Sequence, residues 1–291
     1  MLKNYYQIIK RLLYILINNP RFFFKRIFLE LRAFVSPTPK FSAVKKINGI
    51  LFEFDFNYSP KMKKMYFNTY QPSVAEILRI FLKKGDTFID VGANIGYLSA
   101  LAAGLIGSEG EVHSFEPVPE YYQKLKKFAK INSQYKIYIN QFALGNEEKS
   151  GTIYIKGGPD IGYNTFFPAL LSDSKNRTAQ VSIQRLDEYI KEREIKNIKL
   201  IKIDVEGFEF PVLKGLSRYF SECQNKNSCP LIICEVCPGV YASFGHKLQD
   251  LFDYMRSFSY YPFKVLNIKK RIDINKMNKK QVVDIMFKFC K

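Results

Sequence analysis

The sequence predicts an α/β fold with a Rossmann-like nucleoside-binding crevice, preceded by a basic helical extension. After residue 40, short apolar runs typical of buried strands alternate with helical segments. Several of these runs end in an acid, and one leads into a glycine-spaced turn. Residues 1–64 hold thirteen Lys or Arg and three acids, a local balance of +10 in a chain of 291 residues whose net charge is +18.

The stretch TFIDVGANIGY, residues 87–97, is expected to be the first strand and the cofactor loop. Its apolar run around Asp90 is long enough for a buried strand and too short for a buried helix. Gly92 permits a turn without a Cβ, and Gly96 is expected to let the backbone pass close to a ligand. Ligands of open α/β sheets bind beyond the carboxyl ends of the strands.

The glycine spacing disfavours a dinucleotide. Asn94 stands between Gly92 and Gly96, so the second glycine of G-x-G-x-x-G, which admits a pyrophosphate, is missing. The carboxylate of Asp90 would repel phosphates and attract a cation, and S-adenosylmethionine carries both a sulfonium and an ammonium group. An ordinary strand-turn-helix without a ligand remains the alternative.

The second strand, EVHSFEP at residues 111–117, ends in Glu116. One carboxylate at such a strand end can accept hydrogen bonds from both hydroxyls of a ribose. Alternatively, Glu116 caps the helix expected over 120–131. Residues 136–144 are predicted to form the third strand, with the adenine ring near Gln141, Phe142 and Ala143 at its end.

Two further apolar strands, KLIKIDVEG at 199–207 and PLIICEV at 230–236, also end in acids. Asp204 and Glu206 are two residues apart and should project from one face. We predict that Asp204 or Glu206 accepts a proton from the substrate, with Glu235 and His246 as weaker candidates. No metal is predicted, although a divalent ion held by the acids of this region, including Glu209, is the alternative.

Residues 150–184 interrupt the alternation of strands and helices. Two strands, 152–155 and 179–183, flank the glycine-rich loop GGPDIGYNTFF. A long loop at the strand-end side is usually functional or disordered. The loop could therefore cover the acceptor, with Tyr163, Asn164 and Thr165 as candidate contacts, or it could be a mobile surface loop.

The N-terminal extension, residues 1–40, precedes a catalytic domain predicted over 41–291. Its apolar segments are split by charges and by Asn18-Asn19-Pro20, so neither a membrane-spanning helix nor a signal peptide is expected. Two basic amphipathic helices could lie on an anionic membrane through residues 1–35, with Phe22, Phe23 and Phe24 in the interface. Alternatively, their aromatic face packs on the catalytic domain or on a second subunit.

The five cysteines are an odd number, with four of them crowded near one strand, which fits a reducing cytosol better than a disulfide framework. Zinc binding by these cysteines is the less favoured alternative, because Cys234 falls inside a predicted buried strand. The expected location is therefore the cytoplasm, with peripheral contact at the inner membrane surface through the extension.

The chain resembles the FkbM family of S-adenosylmethionine-dependent methyltransferases over about residues 70–258. Six motifs in order carry the resemblance: DVGANIGYLS, SFEPVPEYYQKLKK, FALGNEE, RLDEYI, LIKIDVEGFEFPVLKG and PLIICEV. The resemblance implies a class I methyltransferase fold, a seven-stranded sheet with one antiparallel strand, and O-methylation of a hydroxyl on a sugar, glycan or natural product.

The resemblance also implies roles for individual residues. Asp90, Gly92, Asn94 and Gly96, with Ala93 between them, would hold the methionine part of the cofactor. Glu116 would hold the ribose, and Asp204 with Glu206 would face the transfer site. Pro117 and Asp204 are also expected to contact the cofactor. The resemblance does not extend to the acceptor, to residues 1–64 or to the oligomeric state.

Two rival functions remain open. The net charge is compatible with an RNA methyltransferase, but the basic residues are concentrated outside the catalytic stretch, so no nucleic acid partner is expected. A non-catalytic, membrane-associated scaffold that binds the cofactor is the second rival. The acids at 204, 206 and 235 disfavour it.

Overall fold

Strands and helices alternate along the part of the chain that the structure describes. This computed structural model describes residues 13, 15–157, 162–168, 171, 176–226, 228–241, 245–265, 267–274, 277 and 282–290. The strands are β1 (Ser42–Ile47), β2 (Ile50–Asp55), β3 (Thr87–Val91), β4 (Glu111–Phe115), β5 (Lys136–Asn140), β6 (Ala143–Leu144), β7 (Lys149–Ile155), β8 (Asn164–Thr165), β9 (Arg177–Gln184), β10 (Ile198–Ile203), β11 (Leu231–Val236), β12 (Tyr260–Lys264), β13 (Asn267–Arg271) and β14 (Val283–Phe289). The helices are α1 (Pro20–Val35), α2 (Lys61–Tyr66), α3 (Pro72–Phe81), α4 (Tyr97–Ile106), α5 (Pro119–Ile131), α6 (Leu186–Glu192), α7 (Glu209–Lys214), α8 (Ser217–Lys226) and α9 (Leu248–Ser257).

The central sheet has the strand order β13-β12-β14-β11-β10-β3-β4-β5. Strands β5, β4, β3, β10 and β11 are parallel, and β14 lies antiparallel between β11 and β12. The predicted α/β class I methyltransferase fold is therefore confirmed, with β14 as the expected antiparallel strand. An eighth strand, β13, extends the seven expected ones at the edge beside β12.

A second sheet has the strand order β6-β9-β7-β8. Its formation corrects the prediction of one strand over 136–144, because β5 ends at Asn140 and β6 pairs with β9 instead. Strands β7 and β9 are the two strands predicted on either side of the glycine-rich loop, and they pair with each other in antiparallel direction. Residues 158–161 of that loop lie outside the described residues.

The strand that precedes the cofactor loop lies in the middle of the core. All five residues of β3 are buried, because parallel strands pair on both of its edges. Helix α4 is also buried over most of its length, as its nearly continuous apolar sequence requires. It packs so closely under the β1–β2 hairpin that a Cβ at Gly104 would lie 2.6 Å from the carbonyl oxygen of Asn48. This packing holds the C-terminal part of α4 against the hairpin.

Helix α1 begins at the predicted break. The Asn19 side chain accepts a hydrogen bond from the Phe22 backbone N–H at 3.2 Å, and Pro20 occupies the first turn. One face of α1 rests on the catalytic domain: Phe22 and Ala33 are buried, and Lys25 forms an ion pair with Glu76 of α3 at 3.0 Å. The prediction that Phe22 enters a membrane interface is therefore wrong, because this side chain faces the domain.

The opposite face of α1 carries large apolar side chains in solvent. We call these residues the exposed stripe: Phe24, Ile27, Phe28, Leu31, Phe34 and Val35. Among the described residues, no helix combines the length and the low charge needed to cross a bilayer. The domain boundary at residues 40 and 41 stays a prediction.

Candidate active site

A cavity of about 420 Å³ lies at the carboxyl ends of the parallel strands. Most of the predicted site residues line it: Asp90, Gly92, Ala93, Asn94, Glu116, Pro117, Phe142, Ala143, Asp204, Glu206 and Glu235. Gly96 and His246 are not among its lining residues. The sheet thus brings together acids that are far apart in the sequence, because the four strands that end in them are neighbours.

Gly92 is required by the backbone that passes behind the loop. Its φ is +75°, and a Cβ there would lie 1.9 Å from the carbonyl oxygen of Asp204. No side chain fits in that space, so the glycine permits the β3 turn and the β10 turn to touch. At Gly92 the loop therefore lies close to another segment of the chain, the backbone at Asp204, and not to a ligand.

Gly96 serves helix packing. A Cβ at this position would lie 2.7 Å from Leu125 Cδ2 and 3.3 Å from Phe128 Cδ1, both in α5. Its φ of +86° also suits glycine at the start of α4. The structure thus gives Gly96 a role at the α4–α5 contact and does not bring it to the cavity, where the sequence analysis expected it.

Glu116 follows β4 and is almost fully buried at the cavity wall. One carboxylate oxygen accepts a hydrogen bond from the Asn94 backbone N–H and the other from the Val118 N–H, each at 2.9 Å. Burial raises the pKa of Glu116 to about 7, although both hydrogen bonds oppose the shift. The Val118 contact means that Glu116 also supports the start of α5, as the alternative interpretation proposed.

Asp90 and Asp204 flank a buried lysine that the sequence analysis did not assign to the site. The Lys202 ammonium lies 3.4 Å from Asp90 Oδ1 and 3.3 Å from Asp204 Oδ2, and it donates a hydrogen bond to the Gly92 carbonyl at 3.0 Å. Burial alone would lower the pKa of Lys202, but Asp204 and Asp90 raise it above its ordinary value. Lys202 therefore stays charged and joins the β3 and β10 strand ends.

Asp90 has neighbours on two sides, although only one of its carboxylate oxygens accepts a hydrogen bond. Its Oδ2 accepts a hydrogen bond from Ser99 Oγ at 2.6 Å, and its Oδ1 faces Lys202. The cation that the sequence led us to expect beside Asp90 is, in this structure, a side chain of the protein. A role for Asp90 toward the cofactor stays a prediction, and it would act from behind the loop because the residue is fully buried.

Asp204, Glu206 and Glu235 form what we call the acid cluster. Asp204 accepts a hydrogen bond from Gln71 Nε2 at 2.9 Å, and Lys202 lowers the pKa of Asp204 although burial opposes the shift. Glu235 shares a side-chain hydrogen bond with Asp204, and the charge of Asp204 together with burial raises the pKa of Glu235 to about 10. The pair therefore carries one proton near neutral pH, held by Glu235.

Glu206 lies on a strained turn. Its φ is +48°, an uncommon value for a residue with a Cβ, and Thr165 Oγ1 holds this turn by donating to the Glu206 carbonyl at 2.8 Å. Burial, then Asp204 and Glu209, raise the pKa of Glu206 to about 8. The site thus contains a carboxyl group that exchanges its proton near physiological pH.

Glu209 has a structural role. It is fully buried, accepts hydrogen bonds from the Gly207 N–H at 2.7 Å and from the Tyr241 hydroxyl at 3.1 Å, and starts α7. These contacts hold the turn between β10 and α7. His246 contacts the Phe210 ring and lies 3.9 Å from Asp250, so its predicted role as a base has no support from its position.

Lys202, Gln71, Tyr70 and Lys61 line the cavity but were missed from the sequence. The sequence does indicate a site role for Lys202, because residues two apart in a strand share one face and Lys202 lies two residues before Asp204. For Lys61, Tyr70 and Gln71 no motif marks the positions. Only folding brings the segment before β3 against β10.

A metal ion has one candidate location in the described part of the chain. The ligand atoms of Glu206, Glu235 and Cys237 lie within 4.8 Å of one another. The absence of a metal stays a prediction, since nothing in the structure tests it. Cys223 and Cys229 have sulfur atoms 2.6 Å apart and do not line the cavity.

The cavity fits a ligand that is positively charged and donates hydrogen bonds. The acid cluster has more carboxyl groups than neighbouring cations, and the pKa values of Glu206 and Glu235 are therefore raised. Within the described residues, three that line the cavity have a buried side-chain oxygen without a hydrogen-bond partner: Gln71 Oε1, Asp90 Oδ1 and Asn164 Oδ1. An ammonium, a sulfonium and ribose hydroxyls match this set of acceptors.

Sequence comparisons identify relatives of this chain. The profile of the methyltransferase FkbM domain matches residues 90–262. The chain is similar to 31-O-demethyl-FK506 methyltransferase FkbM of Streptomyces tacrolimicus, with 30% identity in an alignment that covers 46% of this chain and 61% of that protein. It is also similar to the hexuronic acid methyltransferase AglP of Haloferax volcanii, with 24% identity over 57% of this chain and 63% of that protein.

A solved structure of methyltransferase FkbM from Methylobacillus flagellatus KT aligns with 78% of this chain and 54% of its own, with 16% identity and a TM-score of 0.43. A score of that size supports no inference about function. The chain spans about three fifths of the length of the two curated relatives named above. The profile match covers more than half of the sequence and includes the cofactor loop and the acid cluster. The chain therefore belongs to the FkbM methyltransferase domain family.

Proposed function

We propose that this protein is an S-adenosylmethionine-dependent O-methyltransferase that acts on a hydroxyl group of a sugar, glycan or natural product. One observation carries the proposal: three carboxyl groups crowd one wall of a cavity at the strand ends, and two of them have pKa values raised to about 8 and about 10. A fold without a ligand there gains nothing from this crowding, which costs stability.

The cofactor would bind along the strand ends. Bound S-adenosylmethionine supplies an activated methyl group on a sulfonium. Glu116 would accept hydrogen bonds from the ribose through the lone pairs that Asn94 and Val118 leave available. Phe142 and Ala143, beyond β5, would contact the adenine ring, and the acceptors on Gln71 and Asn164 would take bonds from polar groups of the ligands.

Glu206 is the proton acceptor in this proposal. A base with a pKa near 8 combines a useful ionised fraction at neutral pH with greater proton affinity than an ordinary carboxylate. The acceptor hydroxyl would donate its proton to Glu206 as the oxygen attacks. Asp204, held by Lys202 and Gln71, stays ionised and keeps Glu235 protonated, so the neighbouring charge remains constant while Glu206 works.

The acceptor class rests on three supports. The family resemblance implies hydroxyl methylation, and the two relatives are named for an O-demethylated natural product and a hexuronic acid. The cavity also presents hydrogen-bonding and aromatic side chains together, since Lys61 lies over the Tyr163 ring at 4.4 Å. Such a mixture suits a polyhydroxylated ligand.

A methyl-transfer screen tests the proposal. The full chain is incubated with isotopically labelled S-adenosylmethionine and three acceptor classes: uronic acid glycosides, macrolide polyols and structured RNA. The expected product carries the label on a hydroxyl oxygen of a compound in the first two classes. Label found only in RNA, or no binding of S-adenosylmethionine at all, would overturn the proposal.

A further inference from the structure

We propose that the exposed stripe of α1 docks on an anionic lipid bilayer. The six side chains of the stripe recur at intervals of three and four residues and are between 37% and 84% exposed. Residues at those intervals share one face of a helix. Large apolar side chains on a continuous face in water are typical of a surface that another body covers.

The catalytic domain is not that body. Phe22 and Ala33, on the opposite face of α1, are the buried residues of the helix, and Lys25 joins that side to Glu76. Phe22, Lys25 and Leu29 border a small cleft with Asn68 and Pro72 of the domain. The orientation of α1 is therefore set by the domain, which turns the exposed stripe outward.

Charge distinguishes a bilayer from a second copy of this chain. At 100° per residue, Arg21 and Arg32, both exposed, fall along one border of the exposed stripe. In a dimer through the stripe, these cations would meet like charges on a chain whose net charge is +18. Anionic head groups would instead neutralise them while the apolar side chains enter the interface.

The same contact links the bilayer to the cavity. Helix α1 rests on the segment 68–79, and Tyr70 and Gln71 of that segment line the cavity. A docked α1 would lie between the bilayer and the segment that supplies one wall of the site. This inference goes beyond the proposed methyl transfer and does not depend on it.

Vesicle flotation with the full chain tests the inference. The probes are vesicles of phosphatidylcholine alone and of phosphatidylcholine mixed with phosphatidylglycerol. We expect the wild type to float with the mixed vesicles, and Phe28→Glu to lower the partition coefficient about tenfold or more. Replacing Arg21 and Arg32 with Gln should lower it about fivefold per residue at low salt.

The matched control is Ile131→Glu, which adds the same charge to a partly exposed apolar position on α5. It should float like the wild type, and all variants should bind S-adenosylhomocysteine alike, which shows that they fold. Absence of wild-type flotation, or equal loss in Phe28→Glu and Ile131→Glu, would overturn the inference. A lipid-free dimer that Phe28→Glu dissociates, measured by sedimentation velocity, would overturn it as well.

Discussion

The cavity and helix α1 depart from the usual distribution of polarity in opposite directions. In the cavity, Asp90 and Lys202 are buried and Glu235 keeps a proton because Asp204 lies beside it. On α1, large apolar side chains such as Phe28 and Phe34 lie in water. Buried charge and exposed apolar surface both cost free energy in an isolated domain. Each region is therefore built for something that the chain alone does not supply.

The largest expected effect is on catalysis. Glu206→Gln keeps the size and the hydrogen-bonding capacity of the side chain but removes its basicity. We expect kcat to fall by about 10²–10⁴ on the acceptor identified in the screen, with little change in S-adenosylmethionine affinity. In the wild type, kcat/KM should rise with pH through about 8, since Glu206 must lose its proton to act.

A pH–rate profile of both proteins checks this expectation. Asp204→Asn provides a comparison, because it removes a neighbouring charge and should shift the profile to lower pH by lowering the pKa of Glu206. Activity of Glu206→Gln near that of the wild type would reject Glu206 as the base.

The second effect is on stability and concerns the buried lysine. Lys202→Met leaves Asp90 and Asp204 without their shared cation, and breaking a buried ion pair from one side costs about 3–5 kcal/mol. The matched control is Lys199→Met in the same strand, where the side chain is exposed and the change should stay within about 0.5 kcal/mol. Urea unfolding of the two variants measures the difference, and equal stabilities would mean that Lys202 does not join the two strand ends.

The third effect is a gain in stability, in contrast to the loss expected for Lys202→Met. The folded pKa of Glu235 is raised to about 10, so its contribution to stability is complete below the ordinary value of 4.5 and is lost as the pH rises through about 10. Glu235→Gln cannot ionise and can still donate a hydrogen bond to Asp204. Its free energy of unfolding relative to that of the wild type should increase by at least about 2 kcal/mol from pH 5 to pH 9.

Thermal unfolding across that pH range, without cofactor, measures this gain. If the difference in stability between Glu235→Gln and the wild type is the same at pH 5 and at pH 9, Glu235 ionises with an ordinary pKa. Such a result would remove the reason for regarding the acid cluster as a site built for a ligand.

The smallest expected effect is that of a substitution on the exposed face of α1. Phe28→Glu should change the free energy of unfolding in solution by no more than about 0.5 kcal/mol, because the side chain is exposed and contributes no core packing. Phe22→Ala, on the buried face, should weaken the packing of α1 on the domain by about 3 kcal/mol. Hydrogen exchange of the α1 amides distinguishes the two: protection should fall in Phe22→Ala only, and loss in both would mean that the stripe is packed on the protein.

Local patterns were sufficient to predict the fold and the position of the cavity. Short apolar runs predicted the central strands, and the acids after them predicted which edge of the sheet carries the site, because the ends of adjacent parallel strands must meet. The strand ending at Asp204 and the one ending at Glu235 are neighbours in the sheet, as that reasoning requires. These features depend on residues close together in the sequence.

The features that escaped prediction depend on long-range contacts. Gly96 has the sequence context of a ligand-binding glycine, but its neighbours Leu125 and Phe128 come from a different helix. Lys202 has partners on two strands, and β6 leaves the third strand to pair with β9. On α1, the pattern gives two apolar faces, and only the position of the domain decides that Phe22 is buried and Phe24 exposed.

Calorimetric titration of S-adenosylmethionine into the full chain, compared with its Glu116→Gln variant, tests the central claim most directly. The account predicts saturable binding by the wild type, together with loss of about tenfold or more in affinity when Glu116 no longer offers a carboxylate to the ribose. Absence of binding by the wild type, or equal affinity in both proteins, would contradict the claim that these strand ends hold the methyl donor.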